Sequence, residues 1–241
     1  MEVDRPMERT IEQTAEELES LAPEQALEFV LSANQNARFC LTSSFQAEDM
    51  VVAHLLRNRI PDLRVLFLDT GYHFPQTYEF RDRMTTQWSL NLVNVLPAQT
   101  VAEQESAFGI LYRSEPTQCC QLRKVEPLMR ALEPFDVWFT GLRREQSPTR
   151  KNLKKVELHR LPTGKSLSKV SLLADWNWEQ VWRYVNTNGI PYLPQYDEGY
   201  LSIGCQPCTA LPSDPNNPRS GRWGGTKQEC GIHTFTTRAE R

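Results

Sequence analysis

Arg64-Val-Leu-Phe-Leu68, an apolar run that ends in Asp69-Thr70-Gly71, is the clearest strand in the sequence. A short apolar run closed by polar residues and a glycine is typical of a buried strand in a parallel sheet. On both sides, β-rich runs at residues 37–42 and 90–96 alternate with helical apolar spacing at 50–56 and 75–87. This order predicts an α/β fold, Rossmann-like, with a mainly parallel twisted sheet flanked by helices.

The remaining elements extend this core towards both ends of the chain. We predict helices at 10–21, 23–32 and 118–132, a strand at 136–140, a hairpin of 156–161 with 167–172, and a helix at 176–185 capped by Asp175 and ended by Gly189. After Pro191 the chain is dense in proline, glycine and asparagine, so it needs support from outside its own secondary structure. We therefore expect one domain, residues 1–241, made of N-terminal helices (1–36), an α/β core (37–190) and an irregular C-terminal segment (191–241).

Length and composition argue against several classes of protein. The chain has 241 residues, 39% of them hydrophobic and 24% charged, which is ordinary for one globular domain. A net charge of −3 gives no reason to expect nucleic-acid binding, and no apolar run predicts a membrane span. The acidic N-terminus lacks the apolar stretch of a signal peptide, so we expect a cytoplasmic protein with reduced thiols. The oligomeric state stays open, a homo-oligomer included.

Two tight pairs of cysteines, Cys119-Cys120 and Cys205-Gln-Pro-Cys208, predict a metal site. Four thiolates suit either a structural zinc ion or an iron–sulfur cluster. Adjacent cysteines favour the cluster, because neighbouring residues can reach different iron atoms. Lys124 follows about one helical turn later, where its ammonium group offsets the negative charge of such a cluster. A vicinal disulfide or two buried thiols would leave the second pair unexplained, whereas the separate Cys40 is predicted to be a core residue.

Two polar loops at predicted strand ends indicate an anion site. The loop Ser43-Ser-Phe-Gln-Ala-Glu-Asp49 joins a strand to a helix, where hydroxyls and free N–H groups can bind an anion. Simple helix capping by its serines explains this loop equally well. The second loop, residues 141–150, carries Arg143, Arg144 and Arg150. Arginine clusters favour recognition of phosphate or sulfate oxygens, and the alternative is a solvated basic loop.

The sixth cysteine, Cys230, has many cations near it in the sequence. These neighbours are Arg219, Arg222, Lys227 and His233. Nearby cations lower the pKa of a thiol and favour the nucleophilic thiolate. A reactive cysteine and a merely tolerated one both remain open on this pattern alone.

Together these motifs resemble the assimilatory adenylyl-sulfate (APS) reductases of the PAPS reductase family. The resemblance spans residues 37–236, with the family's motifs in the same order. The motifs are Ser43-Ser-Phe-Gln-Ala-Glu-Asp49, Leu68-Asp-Thr-Gly71, Cys119-Cys120-x3-Lys124, the loop 141–150, Cys205-x2-Cys208 and Lys227-x-Glu-Cys-Gly-x-His233. In this family the cysteine pairs mark the iron–sulfur branch, which uses APS, whereas the branch that uses 3′-phosphorylated APS (PAPS) lacks them.

The resemblance implies an adenine nucleotide α-hydrolase-like fold and the reduction of APS to sulfite and AMP, in sulfate assimilation and cysteine biosynthesis. It implies a Cys230 S-sulfonate intermediate, with thioredoxin or glutaredoxin as the transient thiol donor. The implied ligands of one [4Fe-4S] cluster are Cys119, Cys120, Cys205 and Cys208. The residues implied to face the phosphosulfate are Lys124, Arg219, Arg222 and His233. The residues implied to bind the nucleotide are Ser43, Ser44, Phe45, Gln46, Asp49, Leu68, Asp69, Thr70, Gly71, Arg143, Arg144 and Arg150.

Other functions compete with this one. PAPS reduction, alone or beside APS reduction, is one alternative, because the sequence does not settle whether the 3′-phosphate is tolerated. A zinc-stabilised nucleotide-activating enzyme of the ATP-pyrophosphatase type would need a Ser-Gly-Gly-x-Asp loop, and it gives Cys230 no role. An iron–sulfur electron carrier would explain the paired cysteines but neither the arginine loop nor the Glu-Cys-Gly-x-His tail.

Overall fold

The computed structural model describes residues 16–214 and 217–233. Its strands are β1 (Phe39–Thr42), β2 (Arg64–Leu68), β3 (Asn91–Val95), β4 (Val137–Phe139), β5 (Val156–Arg160) and β6 (Ser166–Val170). They form a six-stranded sheet in the order β3-β2-β1-β4-β6-β5. All neighbouring strands are parallel except β5 and β6, which form the antiparallel hairpin. The mainly parallel sheet and the hairpin are thus confirmed.

The order of the strands reverses beside β1. From β1 the chain builds outward to β2 and β3, then returns to the other side of β1 with β4. Leu41 of β1 stands opposite Val65 on one side and Phe139 on the other, and all three are fully buried. In open α/β sheets such a switch leaves a crevice at the carboxyl ends of the strands, where ligands bind.

Helices cover the sheet, as predicted. They are α1 (Pro23–Ala33), α2 (Ala47–Leu56), α3 (Pro75–Gln87), α4 (Val101–Phe108), α5 (Leu111–Ser114), α6 (Pro116–Cys120), α7 (Glu126–Leu132) and α8 (Trp178–Thr187). Residues 16–19 are helical, and the earlier part of the helix predicted at 10–21 lies outside the described residues. Within residues 16–214 and 217–233, none of the helices has the length and apolarity needed to cross a bilayer.

The start of α8 differs from its prediction. Asn177, not Asp175, caps the helix, because its side-chain oxygen accepts a hydrogen bond of 2.8 Å from the Gln180 N–H. Asp175 instead forms an ion pair of 2.9 Å with Lys155, whose side chain is fully buried. Gly189, with φ of +58°, follows the helix as predicted.

The predicted cysteine helix is continuous over residues 116–132 but is not a regular α-helix. A π-helical turn, Gln121–Val125, separates α6 from α7. Single π-turns of this kind are frequent at functional sites, because they alter the direction of the side chains that they carry. Here the turn carries Lys124, and it begins directly after the Cys119-Cys120 pair.

The described part of the C-terminal segment, residues 191–214 and 217–233, contains no strand of the sheet. It consists of loops and three short 3₁₀ turns, Pro194–Tyr196, Gln206–Cys208 and Trp223–Gly225. Isolated bridges join His73 to Cys205 and Thr209 to Arg222. The predicted shortage of secondary structure is confirmed for these residues.

Candidate active site

A cavity of about 430 Å³ lies at the carboxyl ends of β1, β2 and β4, where the strand order reverses. This volume is within the range of roughly 300–1,000 Å³ that is usual for small-molecule sites. The predicted site residues that line it are Ser43, Ser44, Gln46, Asp49, Leu68, Lys124, Arg143, Arg150, Arg219, Arg222, Cys230 and His233. The predicted nucleotide-binding residues outside the lining are Phe45, Asp69, Thr70, Gly71 and Arg144, and the four predicted metal ligands also lie outside it. The fold therefore brings both polar loops and the C-terminal segment to one cavity.

The loop after β1 is held in shape by its own side chains. The Asp49 carboxylate accepts hydrogen bonds from the N–H of Ser44 at 2.6 Å and from its hydroxyl at 2.7 Å. Phe45, with φ of +60°, turns its ring into the core beside Phe67. Helix α2 begins after Gln46, which makes no side-chain capping bond, so neither serine caps it. Ser43 and Ser44 therefore line the cavity, while the N–H and the hydroxyl hydrogen of Ser44 are both occupied by Asp49.

The loop after β4 directs its arginines to different surroundings. Arg143 is buried and pairs with Glu48 at 2.9 Å, and its guanidinium lies 5.2 Å from the centre of the Trp178 ring. Arg144 points away from the cavity, where it bonds to Glu19 and to the Leu153 carbonyl. Arg143 has an extended backbone and Arg144 begins a 3₁₀ turn, Arg144–Gln146, so the two side chains leave the chain in different directions.

The loop after β2 faces the cysteines more than the large cavity. The Thr70 hydroxyl lies 3.2 Å from the Cys205 sulfur. Asp69 binds the Gly71 N–H at 3.0 Å and the Tyr78 hydroxyl at 2.7 Å. Gly71 has φ of +73°, and a Cβ there would lie 2.7 Å from a Val101 methyl group, so only glycine fits.

The four cysteines predicted as metal ligands line one small second cavity. Cys119, Cys120, Cys205 and Cys208 surround it, with Thr70, Tyr72 and Arg123 among the other lining residues. Lys124 and Trp223 line this cavity and the large one as well. The lysine therefore stands between the thiols and the large cavity, as its position in the sequence predicted.

Charges around the small cavity are balanced by Lys124. Burial alone would raise the pKa of Cys205, but Lys124 and the Thr70 hydroxyl outweigh it and lower that pKa. Burial alone would lower the pKa of Lys124, yet the negative charges of Cys205, Cys230 and Cys120 outweigh it and raise that pKa. Lys124 is therefore a half-buried ammonium group that stays charged.

Cys230 lies in the wall of the large cavity, within electrostatic reach of Lys124, Arg219 and Arg222. Arg222 is 97% buried (3% exposed), and its close approach to Gly204 leaves no space there for a side chain. His233 stacks on Trp138, with ring centres 5.7 Å apart. Burial and the charge of Lys169 lower the pKa of His233 well below its usual value, so its ring is neutral.

Several cavity residues could not be found from the sequence. Glu48 lies in the first predicted loop but was not predicted as a site residue. Its hydrogen bond from Arg143 joins positions 95 residues apart in the chain. Trp178 lies in the predicted helix at 176–185 and was not among the predicted site residues, yet it lines the cavity beside Arg143. Residues 201–204 also line it and carry no motif.

This arrangement combines three chemical properties. Lys124, Arg219 and Arg222 supply positive charge, which binds an anionic group and stabilises negative charge that develops during a reaction. Cys230 supplies a soft sulfur nucleophile at the same place. The serine hydroxyls and the Trp178 ring supply polar and aromatic contacts for a larger organic anion.

Comparisons with known proteins agree with this chemistry. The family described as the phosphoadenosine phosphosulfate reductase domain matches residues 38–211. An adenosine 5'-phosphosulfate reductase of Streptomyces coelicolor is 42% identical over 92% of this chain and 97% of its own. A phosphoadenosine 5'-phosphosulfate reductase of Gloeobacter violaceus is 41% identical over 93% of each chain.

A solved structure extends the comparison to the fold. The phosphoadenylyl-sulfate reductase of Candida auris, crystallised as a phosphate complex, has a TM-score of 0.71 and 25% identity. The alignment covers 86% of this chain and all of that one. This likeness confirms the predicted adenine nucleotide α-hydrolase-like architecture. The chain belongs to the phosphoadenosine phosphosulfate reductase family, and it is therefore an oxidoreductase that acts on sulfur.

Proposed function

We propose that this protein reduces APS to sulfite and AMP, with thioredoxin or glutaredoxin as the thiol donor, in cytoplasmic sulfate assimilation and cysteine biosynthesis. One observation carries the proposal: Cys230 shares a cavity with Lys124, Arg219 and Arg222, and the four remaining paired cysteines lie behind that lysine. The relatives named adenosine 5'-phosphosulfate reductase support the choice of substrate.

We also propose a [4Fe-4S] cluster bound by Cys119, Cys120, Cys205 and Cys208. Four thiols around one cavity are the donor set that such a cluster takes. In the part of the chain that the structure describes, no three His, Cys, Asp or Glu side chains are grouped to hold a metal ion. The adjacent Cys119-Cys120 pair favours a cluster over a single zinc ion, because neighbouring residues can reach different iron atoms. When bound, the cluster would supply a fixed negative charge behind Lys124.

In the first step, the Cys230 thiolate attacks the sulfur atom of the APS sulfate group. The new S–S bond forms as the bond between that sulfur and the bridging phosphate oxygen breaks, and AMP leaves with the electron pair. Lys124, Arg219 and Arg222 stabilise the negative charge that moves onto the leaving phosphate. The product is an S-sulfonate on Cys230.

In the second step, a thiolate of thioredoxin or glutaredoxin attacks the Cys230 sulfur atom and sulfite leaves with the bonding pair. A second thiol of the donor then resolves the mixed disulfide and returns Cys230 as a thiol. The donor's two thiols are oxidised to a disulfide, and the sulfate-level sulfur is reduced by one electron pair. The reaction therefore balances with electrons from thiols alone.

PAPS reduction is the second candidate, because a relative of nearly equal similarity is named phosphoadenosine 5'-phosphosulfate reductase. Both nucleotides carry the sulfur group that Cys230 would attack, so the difference concerns the 3′-phosphate. Initial rates with each nucleotide at equal concentration decide between them. We expect kcat/KM to be higher for APS, and the reverse ranking would favour the second candidate.

The test of the proposal is the covalent intermediate. We expect the wild-type protein, mixed with APS without a thiol donor, to gain one SO3 group, which peptide mapping assigns to Cys230. Cys230→Ser should form no adduct and release no sulfite, yet keep its iron and acid-labile sulfide, because Cys230 is not a proposed ligand. Cys40→Ala is the matched control, since Cys40 is buried in β1 and should leave adduct formation intact. An adduct on another cysteine, or none, would contradict the mechanism.

A further inference from the structure

Glu229, the residue before Cys230, is bound by the loop that follows β4. Its two carboxylate oxygens accept hydrogen bonds from Arg150, at 2.8 Å from Nε and 2.7 Å from Nη2. The Thr149 hydroxyl donates a third bond, of 2.9 Å. Each member of the Arg150–Glu229 pair is only 10% exposed at its side chain. The pair joins positions 79 residues apart, so it fixes the C-terminal segment to the loop that follows β4.

Three of the five N–H groups of Arg150 bind protein acceptors, which leaves two for a substrate. Its third nitrogen, Nη1, donates to the Gln146 side chain, so all three guanidinium nitrogens have protein acceptors. Arg219 contributes to the same anchor, because its Nε donates to the Gln228 carbonyl at 3.0 Å and its Nη2 lies 3.7 Å from Glu229. Two residues in succession, Gln228 and Glu229, are thus fixed immediately before the reactive thiol.

We propose that Glu229 is a positioning residue that holds Cys230 in reach of the substrate, and that Arg150 anchors this tail. The inference rests on the proposed function of Cys230 as the nucleophile. Bidentate arginine–carboxylate pairs fix orientation as well as distance, which a single hydrogen bond does not. A thiol displaced by about 1 Å from the reacting sulfur loses about 10² in rate.

The first experiment compares Glu229→Gln with wild type in single-turnover formation of the Cys230 adduct. We expect the rate to fall about 10²-fold, while AMP affinity, measured by calorimetry, stays within about threefold. Glu229→Asp keeps the charge, so its rate of adduct formation should lie between those of Glu229→Gln and wild type. Gln228→Ala is the matched control, because its exposed side chain is adjacent in sequence while its anchoring carbonyl remains. An adduct rate within about twofold of wild type, or a loss of AMP binding, would overturn the inference.

The second experiment does not depend on APS. Hydrogen exchange at residues 227–231 should be at least about tenfold faster in Glu229→Gln than in wild type or Gln228→Ala, because the tail loses its anchor. Arg150→Gln should produce the same change, and the double variant should be no faster than either single variant, because both remove one interaction. If hydrogen exchange at residues 227–231 is the same in these variants as in wild type, the proposed anchor is wrong, even if the adduct forms. If wild type forms no adduct but the exchange changes as expected, the proposed reaction fails and the anchor stands.

Discussion

The edge of the sheet and the C-terminal segment face each other across one cavity, yet they are held by different forces. The sheet edge, formed by the loops after β1, β2 and β4, grows out of parallel strands whose central residues are fully buried. The C-terminal segment has isolated bridges, short 3₁₀ turns and the Arg150–Glu229 ion pair instead. Hydrophobic burial therefore fixes the first region. The second region adds Leu193 and Ile203 to the same core, but its later part depends on polar contacts and, in our proposal, on iron.

The two regions have different roles in the site. In the proposed mechanism, the hydroxyls and the buried Arg143 of the sheet edge bind the nucleotide and do not need to move. Cys230 of the C-terminal segment, in the same mechanism, meets a small nucleotide in one step and a protein thiol in the next. A segment without a core of its own opens at a lower free-energy cost than a strand end does. Its anchors must therefore be few, specific and reversible.

Removal of iron should have the largest effect, and it should affect the C-terminal segment much more than the sheet. We expect Cys120→Ser to lose its iron, because all four thiolates are needed to hold the cluster. Hydrogen exchange in residues 191–214 and 217–233 should become faster, while exchange in β1 and β2 changes little. The measurement is iron content together with exchange followed by mass spectrometry.

Cys40→Ala provides the opposite pattern for this comparison. Cys40 is fully buried in β1 and lies outside both cavities, so its loss should destabilise the sheet and leave iron content unchanged. If Cys120→Ser kept its full iron content, ligation by adjacent cysteines would be wrong. If both variants loosened the sheet and the segment equally, the two regions would be one cooperative unit.

The next effect concerns Lys124, which lines both cavities. Lys124→Ala should lower the rate of adduct formation about 10²–10³-fold, because one charge that stabilises the transition state is lost. Iron should remain, since lysine is not a ligand, and AMP, which lacks the sulfate, should bind nearly as before. Lys124→Arg should recover only part of the rate, because a planar fork does not replace a point charge.

Arg130→Ala controls for the loss of a cation from the same continuous helix. Arg130 is exposed near the end of α7 and lies outside both cavities, so its replacement should not change the rate of adduct formation. A Lys124→Ala rate within about twofold of this control, with iron unchanged, would make Lys124 an ordinary structural lysine.

A smaller effect tests the sheet edge through Glu48. The Arg143–Glu48 pair is buried, with 4% and 8% of the two side chains exposed. Glu48→Ala leaves Arg143 without its deepest partner, so we expect the free energy of unfolding to fall by about 3 kcal/mol. Glu179→Ala removes an exposed partner of Arg183 and should cost less than about 1 kcal/mol. The free energy of unfolding is measured by urea unfolding. Equal decreases in the two variants would show that burial does not make the Arg143–Glu48 pair more stabilising than the Arg183–Glu179 pair.

The sequence predicted most of the fold because the information it needs is local. The strand at 64–68 and the helix at 75–87 are confirmed without change, since apolar spacing and Pro75 define them within a few residues. The predicted cap of α8 was two residues too early. Asp175 and Asn177 are both good N-cap residues, and only tertiary contacts determine which of them caps the helix.

The site could be predicted only in part, because its contacts are long-range. Motif order brought the cysteine pairs, Lys124 and Cys230 together, and the structure agrees with that grouping. Nothing local distinguishes Arg143 from Arg144, although one lies in the cavity wall and the other binds Glu19. The pairing of Glu229 with Arg150 likewise depends on how an aperiodic segment folds back onto the sheet edge.

The smallest expected effect probes the loop after β1 by pH. Burial raises the pKa of Asp49 to about 6, although the hydrogen bonds from Ser44 oppose this shift. In an unfolded chain the pKa of an aspartate is about 3.9, so the folded protein binds this proton more tightly than the unfolded one. The stabilisation from the bound proton is complete below pH of about 4, and it is lost as the pH rises to about 6.

Asp49→Asn removes this titration but keeps a side-chain oxygen that accepts the two Ser44 hydrogen bonds. We expect the free energy of unfolding of wild type, relative to the variant, to fall by about 1–2 kcal/mol as the pH rises through that window, and then to stay level. Urea unfolding of both proteins at several pH values measures this difference. The C-terminal segment should contribute little to it, because Asp49 bonds within its own loop. A difference that does not change with pH would mean that Asp49 titrates as it does in the unfolded chain, and the loop would then be more open to water than its hydrogen bonds indicate.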